Sequence, residues 1–268
     1  MNESPRLAVC DIDGTLVDSK KRISPLNRKA IKAFQDGGGA FTLATGRIEK
    51  SALPYCRELN IQVPLILYNG ARIVHPLSGE VLMEKHLHEE DITRALLLRK
   101  TYPLDYILYS EGEAYVFDRS SFIREFEKGD GYECSILRDT GELTRKKITK
   151  ILMIGDNSCF DAFRRDFRSD RKRGAALVQS ESNYLEILPE GVNKGTALEE
   201  LEKILGFNRK NVICFGDNHN DIEMIRRAGI GVAMKNAGDE VKAAADLIAP
   251  DHNHDGHFYN TRTRRFAI

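Results

Sequence analysis

Over its first 70 residues the chain alternates short apolar runs with amphipathic stretches. Leu7-Ala8-Val9-Cys10 is long enough for one buried strand, and Asp11-Ile12-Asp13-Gly14-Thr15 cuts it off. Ser24 and Pro25 then supply a helix N-cap and first turn. Leu26, Ala30, Ile31 and Phe34 form one apolar face behind them, and Gly37-Gly38-Gly39 ends the helix. Ala40-Phe41-Thr42-Leu43-Ala44 predicts a second strand, 48–59 a second helix, and Pro64-Leu65-Ile66-Leu67-Tyr68 a third strand. Pro54 predicts a late start or a kink in that second helix. Strand–helix–strand units of this length predict parallel pairing through right-handed crossovers.

After about residue 80 the rhythm changes. Residues 88–101 predict a helix, and strands over 104–109 and 114–117 flank the turn Glu111-Gly112-Glu113. Further strands are predicted over 148–154 and 175–179, with Phe160, Phe163 and Phe167 on a helix between them. The charged run Arg164 to Arg173 reads as a solvated helix face and loop. The first rhythm resumes through 194–205, 211–215, 218–228 and 229–233. The pattern therefore predicts one α/β core domain in two pieces, 1–80 and 190–268, interrupted by an inserted domain over 81–189.

In parallel sheets, ligands bind beyond the carboxyl ends of the strands. Asp11, Thr45 and Asp217 each follow an apolar run directly, which places all three at one such edge. Two carboxylates at a strand end are costly to bury unless a cation offsets them, and oxygen-rich sites suit magnesium. Alone, Asp11 and Asp13 read equally well as turn residues. Downstream, Asn211-Val212-Ile213-Cys214-Phe215 ends in Gly216-Asp217-Asn218-His219-Asn220-Asp221, and Asn193-Lys194-Gly195 precedes it. Thr45-Gly46-Arg47 closes the second strand.

In this order the four segments resemble the motifs of the haloacid dehalogenase superfamily of phosphohydrolases. Over nearly the whole chain the resemblance is to the Cof-type sugar-phosphate phosphatases. It implies an α/β fold, a doubly wound parallel sheet with a Rossmann-like core and an inserted α+β cap domain. It also implies magnesium-dependent hydrolysis of small phosphorylated metabolites through an aspartyl-phosphate. Asp11 is then the nucleophile and a magnesium ligand. Asp13 is the general acid and later the base, with its backbone carbonyl on the metal, and Asp217 is the third ligand. The Ile12 N–H, Thr45, Gly46, Lys194 and Asn220 hold the phosphate, and Asp221 orients the ligands. Arg47 is left between a substrate contact and a structural ion pair. Sugar phosphates, nucleotides and a flavin-pathway phosphate all stay open as substrates.

A phosphomutase or phosphotransferase could use the same residues, and a non-catalytic phosphometabolite sensor could share the fold. The large insert, with no second phosphate clamp, favours hydrolysis. Filled catalytic positions argue against a sensor. Several segments imitate sites. Ile151 to Asp161 repeats Gly-Asp-Asn, but Cys159 and Phe160 stand where Asn and Asp are needed. Asp251, Asn253, Asp255 and Gly256 begin a calcium loop that Arg262 fails to close. His252, His254 and His257 lack a zinc-site spacing. Asn253 with Asp255-Gly256 instead resembles a family segment near the active site.

Composition narrows the remaining classes. The 268 residues carry 40 Lys+Arg and 40 Asp+Glu, so no global field draws the chain to nucleic acid or to a membrane surface. Five scattered cysteines without CxxC spacing predict reduced thiols. No signal-peptide pattern opens the sequence, and no apolar run approaches the roughly 20 residues of a spanning helix. A soluble, cytoplasmic protein acting on a small phosphorylated metabolite is expected, with its oligomeric state left open.

Overall fold

The structure, a computed structural model, describes residues 6–138, 141, 143, 146–169, 174–253, 259–260 and 265–266. Two compact units divide the chain. One comprises Met1–Gly46, Ala52–Leu82 and Asn193–Ile268, the other Arg47–Ser51 and Met83–Val192.

The first unit opens with β1 (Leu7–Cys10), buried at all four positions. In α1 (Pro25–Asp36) the Ser24 hydroxyl caps the first turn by accepting the Asn27 N–H at 3.1 Å, and Ala30 and Ile31 are buried. β2 (Ala40–Leu43) and α2 (Glu49–Glu58) follow. α2 starts at Glu49 and runs through Pro54, where a late start or a kink was expected. The proline is exposed, so the carbonyl it leaves without a helical donor can be met by water.

The third predicted strand is β3 (Leu65–Leu67), and a parallel bridge from Ala44 to Ile66 gives it the expected direction relative to β2. It runs antiparallel to β4 (Arg72–Val74) in a three-stranded sheet of order β3-β4-β5, with β5 at Val81–Glu84. The Thr42 hydroxyl, donating to the Pro64 carbonyl at 2.6 Å, and the Thr45 N–H, donating to the Ile66 carbonyl at 2.9 Å, tie it further to β2. The antiparallel return into β4, which the sequence pattern did not predict, is made by a run of left-handed backbone at Tyr68 (φ 51°), Asn69 (φ 55°) and Gly70 (φ 102°), which reverses the chain at once.

The second unit contains α3 (Glu89–Leu98), β6 (Asp105–Ser110), β7 (Glu113–Val116), α4 (Ser121–Asp130), β8 (Ser135–Ile136), β9 (Lys150–Ile154), α5 (Phe160–Arg168), β10 (Ala176–Glu181) and β11 (Tyr184–Leu188). Its sheet has the order β10-β11-β9-β6-β7-β8 and is antiparallel except between β7 and β8. Glu111 and Gly112 both take positive φ, as a two-residue hairpin loop between twisted strands demands. Tyr106 and Leu108 of β6, Ile151 and Met153 of β9, and Leu185 and Ile187 of β11 alternate onto one face. Phe160, Phe163 and Phe167 of α5 complete the core on that face.

The chain returns to the first unit with α6 (Lys194–Leu205), β12 (Val212–Gly216), α7 (Ile222–Arg227), β13 (Ile230–Met234), α8 (Asp239–Ala243) and β14 (Leu247–Ala249). A short pair, β15 (Tyr259–Asn260) and β16 (Arg265–Phe266), ends it. The predicted helix over 218–228 opens with a 3-10 turn at His219–Asp221 before α7. The central sheet has the order β14-β13-β12-β1-β2, with every neighbouring pair parallel. From β1 the chain moves outward to β2, whereas from β12 it moves the opposite way to β13 and β14. The boundary between β1 and β12 is thus the point where strand order reverses, the place where open α/β sheets bind ligands. His254, Asp255, Gly256, His257, Arg262 and the end of the charged run at 170–173 lie outside the described residues. Among the described residues, no helix is long and apolar enough to cross a membrane.

Candidate functional site

Four strand ends feed one edge of the central sheet. β1 delivers Asp11, β2 leads into Thr45, β12 into Asp217 and β13 into Asn236. Asp11, Asp217 and Asp221 each present a carboxylate oxygen, all within 4.8 Å of one another. Lys194 is completely buried against them, its Nζ 2.6 Å from Asp11 Oδ1 and 2.6 Å from Asp221 Oδ1.

Lys194 is the first residue of α6, where the helix dipole disfavours a cation. The helix end is stabilised instead by Asn193 and Thr196, whose side chains each accept the other's backbone N–H. Gly195 lets α6 approach α7 closely, since a Cβ there would lie 2.7 Å from the Glu223 backbone. That approach brings Lys194 to Asp221, just ahead of α7.

Asp221 is occupied at both oxygens. Oδ1 receives Lys194, and Oδ2 accepts the backbone N–H groups of Asp217 at 2.9 Å and Asn218 at 3.0 Å. It therefore holds the loop that presents Asp217. The Asp217 carboxylate accepts the Thr15 hydroxyl at 2.8 Å and the Asn236 amide at 3.3 Å. Asn236 also donates to the Gly14 carbonyl at 3.0 Å and accepts the His252 N–H at 3.2 Å, linking three loops. Gly14 (φ 78°) passes so close that a Cβ would stand 2.3 Å from Asp217 Oδ2.

Three carboxylates and one ammonium leave the cluster with a formal charge of −2. Burial pushes the Asp11 carboxyl well above its ordinary range, with Lys194 pulling it down and Asp221 and Asp217 adding to the rise. Burial and then the Asp221 charge raise Asp217 to about 7. For Lys194, burial opposes the charged form, yet Asp11 and Asp221 hold the ammonium above its usual value. An all-oxygen donor set of this charge fits a hard divalent cation, and Asp11 and Asp217 are the carboxylates placed to hold one.

The remaining sequence candidates lie around this cluster. Ile12 is buried, and its carbonyl accepts the Leu16 and Val17 N–H groups at 3.0 and 3.1 Å. The half-buried Asp13 carboxylate is outside the cluster and pairs with Lys21, which itself takes a left-handed backbone. Thr45 is buried, its N–H on the Ile66 carbonyl and its own carbonyl accepting the Asn69 N–H, both at 2.9 Å. Gly46 lies against the Asn69 amide, and Asn220 Nδ2 donates to Asn69 Oδ1 at 2.9 Å. Arg47 is buried and falls in the other unit. Asn253 reaches the loop after β1, accepting the Ser19 N–H at 3.0 Å. Asp156 of the look-alike segment caps a short turn through the Ser158 N–H and, among the described residues, joins no carboxylate cluster.

Sequence reasoning singled out neither Thr15, Asn69 nor Asn236. Asn236 follows the apolar run 230–234, so the strand-end rule that found Asp217 applies to it equally.

Residues 8–259 match the family described as haloacid dehalogenase-like hydrolase. A 5-amino-6-(5-phospho-D-ribitylamino)uracil phosphatase of Bacillus subtilis is 29% identical over 94% of this chain and 92% of its own. An HMP-PP phosphatase of an Enterobacter species is 30% identical over 87% of this chain and 85% of its own. A haloacid dehalogenase-like hydrolase from Bacteroides thetaiotaomicron, solved by crystallography, superposes with a TM-score of 0.84 at 30% identity, covering 94% of this chain and 97% of that one. With family motifs, parallel sheet and acidic strand-end cluster in agreement, the chain belongs to the haloacid dehalogenase-like hydrolases of the Cof type and is a phosphoric monoester hydrolase of that superfamily.

Proposed function

We propose that the protein is a magnesium-dependent phosphatase that hydrolyses small phosphorylated metabolites through an aspartyl-phosphate on Asp11. The observation that carries this reading is Asp11 itself, at the central strand end and bonded to the buried Lys194 within a cluster of charge −2. A carboxylate next to an ammonium can meet a phosphate dianion at lower electrostatic cost than a carboxylate alone.

In the first step an Asp11 oxygen bonds to phosphorus as the ester P–O bond breaks, and Asp13 gives its proton to the departing alkoxide. In the second, water attacks the phosphorus of the acyl phosphate and Asp13 takes the water's proton. Inorganic phosphate leaves and the Asp11 carboxylate returns. Lys194 keeps its charge beside Asp11 throughout. The Ile12 and Gly46 N–H groups, the Thr45 hydroxyl and the Asn220 amide are the donors we assign to the non-reacting phosphate oxygens. Magnesium, held by Asp11, Asp217 and the Asp13 carbonyl, would supply positive charge against the carboxylate–phosphate repulsion.

The named activities of the Bacillus and Enterobacter relatives support a small phosphorylated metabolite as substrate. We assign its selection to the inserted unit as a cap. The test is phosphate release from p-nitrophenyl phosphate and a panel of phosphorylated metabolites, with magnesium and then with EDTA. Magnesium-dependent release, lost in Asp11→Asn while inorganic phosphate still binds, is the expected result. Undiminished turnover in Asp11→Asn would overturn the aspartyl-phosphate, and no release across the panel would overturn the phosphatase.

A further inference from the structure

Asn69 is almost fully buried, polar, and held with left-handed backbone between two other residues of positive φ. Glycine would occupy that conformation without strain, so the side chain is kept for what it touches. Its Oδ1 accepts one N–H of the Asn220 amide at 2.9 Å. A primary amide has two N–H donors, and fixing one of them sets the direction of the other. Among the described residues the buried Asn220 Oδ1 has no hydrogen-bond partner, so the contact to Asn69 is the bond that holds this amide in place.

Asn69 braces a second element as well. Its N–H donates to the Thr45 carbonyl, and its amide lies flat against Gly46, where a Cβ would meet Nδ2, Oδ1 and Cγ at 3.0, 3.1 and 3.3 Å. The following residue, Gly70, abuts the Asn193 carbonyl, where a Cβ would lie at 2.3 Å, at the cap of the helix that presents Lys194. One turn thus touches the Thr45–Gly46 loop, Asn220 and the start of α6.

We propose that Asn69 is a positioning residue of the phosphate site, aiming the Asn220 amide and fixing the Thr45–Gly46 turn so that their donors converge on one phosphoryl group. The proposal rests on the reading of the site as a phosphatase centre. Asn69→Gly tests it, because glycine accepts the backbone at this position while removing the amide. Asn220→Ala and the double variant complete a cycle. Inorganic phosphate binding is measured by calorimetry in magnesium, with KM, kcat and thermal melts on the same samples.

Each single variant should weaken phosphate binding by roughly three- to tenfold, the loss of one oriented hydrogen bond. KM should rise with it, and the double variant should be no weaker than the weaker single. A merely structural Asn69 would lower the melting temperature without moving phosphate affinity. Unchanged affinity in Asn69→Gly, unchanged affinity in Asn220→Ala, or losses that multiply in the double variant would each overturn the proposal. If Asn69→Gly does not fold, Asn69→Ser carries the same comparison, its hydroxyl being too short to reach Asn220. A wild-type protein that neither binds phosphate nor turns over would instead overturn the phosphatase reading.

Discussion

Lys194 and Asp217 show how far single residues can be driven from their ordinary behaviour. A lysine at a helix N-terminus and wholly buried pays twice, to the dipole and to desolvation, and the ion pairs with Asp11 and Asp221 make the position tenable. Asp217, raised to about 7, keeps a proton in the folded metal-free protein that an unfolded aspartate loses near about pH 4. The folded state therefore binds more protons across that window, and this group's contribution to stability falls as pH rises through it, then levels off. Melts of EDTA-treated protein between about pH 5 and pH 8 should show that decline, and Asp217→Asn should flatten it. Added magnesium should stabilise most at the upper end, where no proton competes. Equal stabilisation at both ends would count against Asp217 as a ligand. The strand-end positions of Asp11 and Asp217 were legible, because an apolar run that stops at a carboxylate is an abrupt change of chemistry. Asn69 and Asn236 were not, because asparagine after a strand is also an ordinary turn residue. The Lys21 partner of Asp13 depends on a backbone angle that its sequence does not announce.

Among the elements, the α6–α7 crossing does the most for the site. The Gly195 backbone approaches Glu223 so closely that Gly195→Ala must push the helices apart. The expected loss is about 1–3 kcal/mol in urea denaturation, the usual cost of overpacking. Because Lys194 is its neighbour, kcat should fall further than the folded fraction; a fall that only tracks stability would make Gly195 a packing residue alone. Helices with a clear apolar face, such as α1 and α5, and the parallel strands of the central sheet were legible from their periods. The immediate return of β3 into the antiparallel β4 was not, since an apolar run does not announce where the chain doubles back. The reversal rests on Tyr68 and Asn69 adopting left-handed backbone, and only Gly70 hints at it. α4 escaped notice because its two buried side chains, Ile123 and Phe126, are scattered among charges.

At the scale of the whole molecule, β1 finds its partner β12 only after most of the chain has been made. The second unit, by contrast, pairs β6 with β7 across a two-residue turn. Loop closure and contact order both favour the local pairing first. Pulse-labelled hydrogen exchange during refolding should protect the β6 and β7 amides before those of β1 and β12. Simultaneous protection would mean that one cooperative event forms both sheets. The same topology has a consequence on a longer clock. The chain leaves the first unit after Leu82 and rejoins it at Asn193, while Asp11 and Asp217 stay on strands bonded edge to edge. A lineage can lengthen, recombine or replace everything between those two crossings without disturbing either acid, so under the proposed function inheritance of the reaction is uncoupled from inheritance of its target.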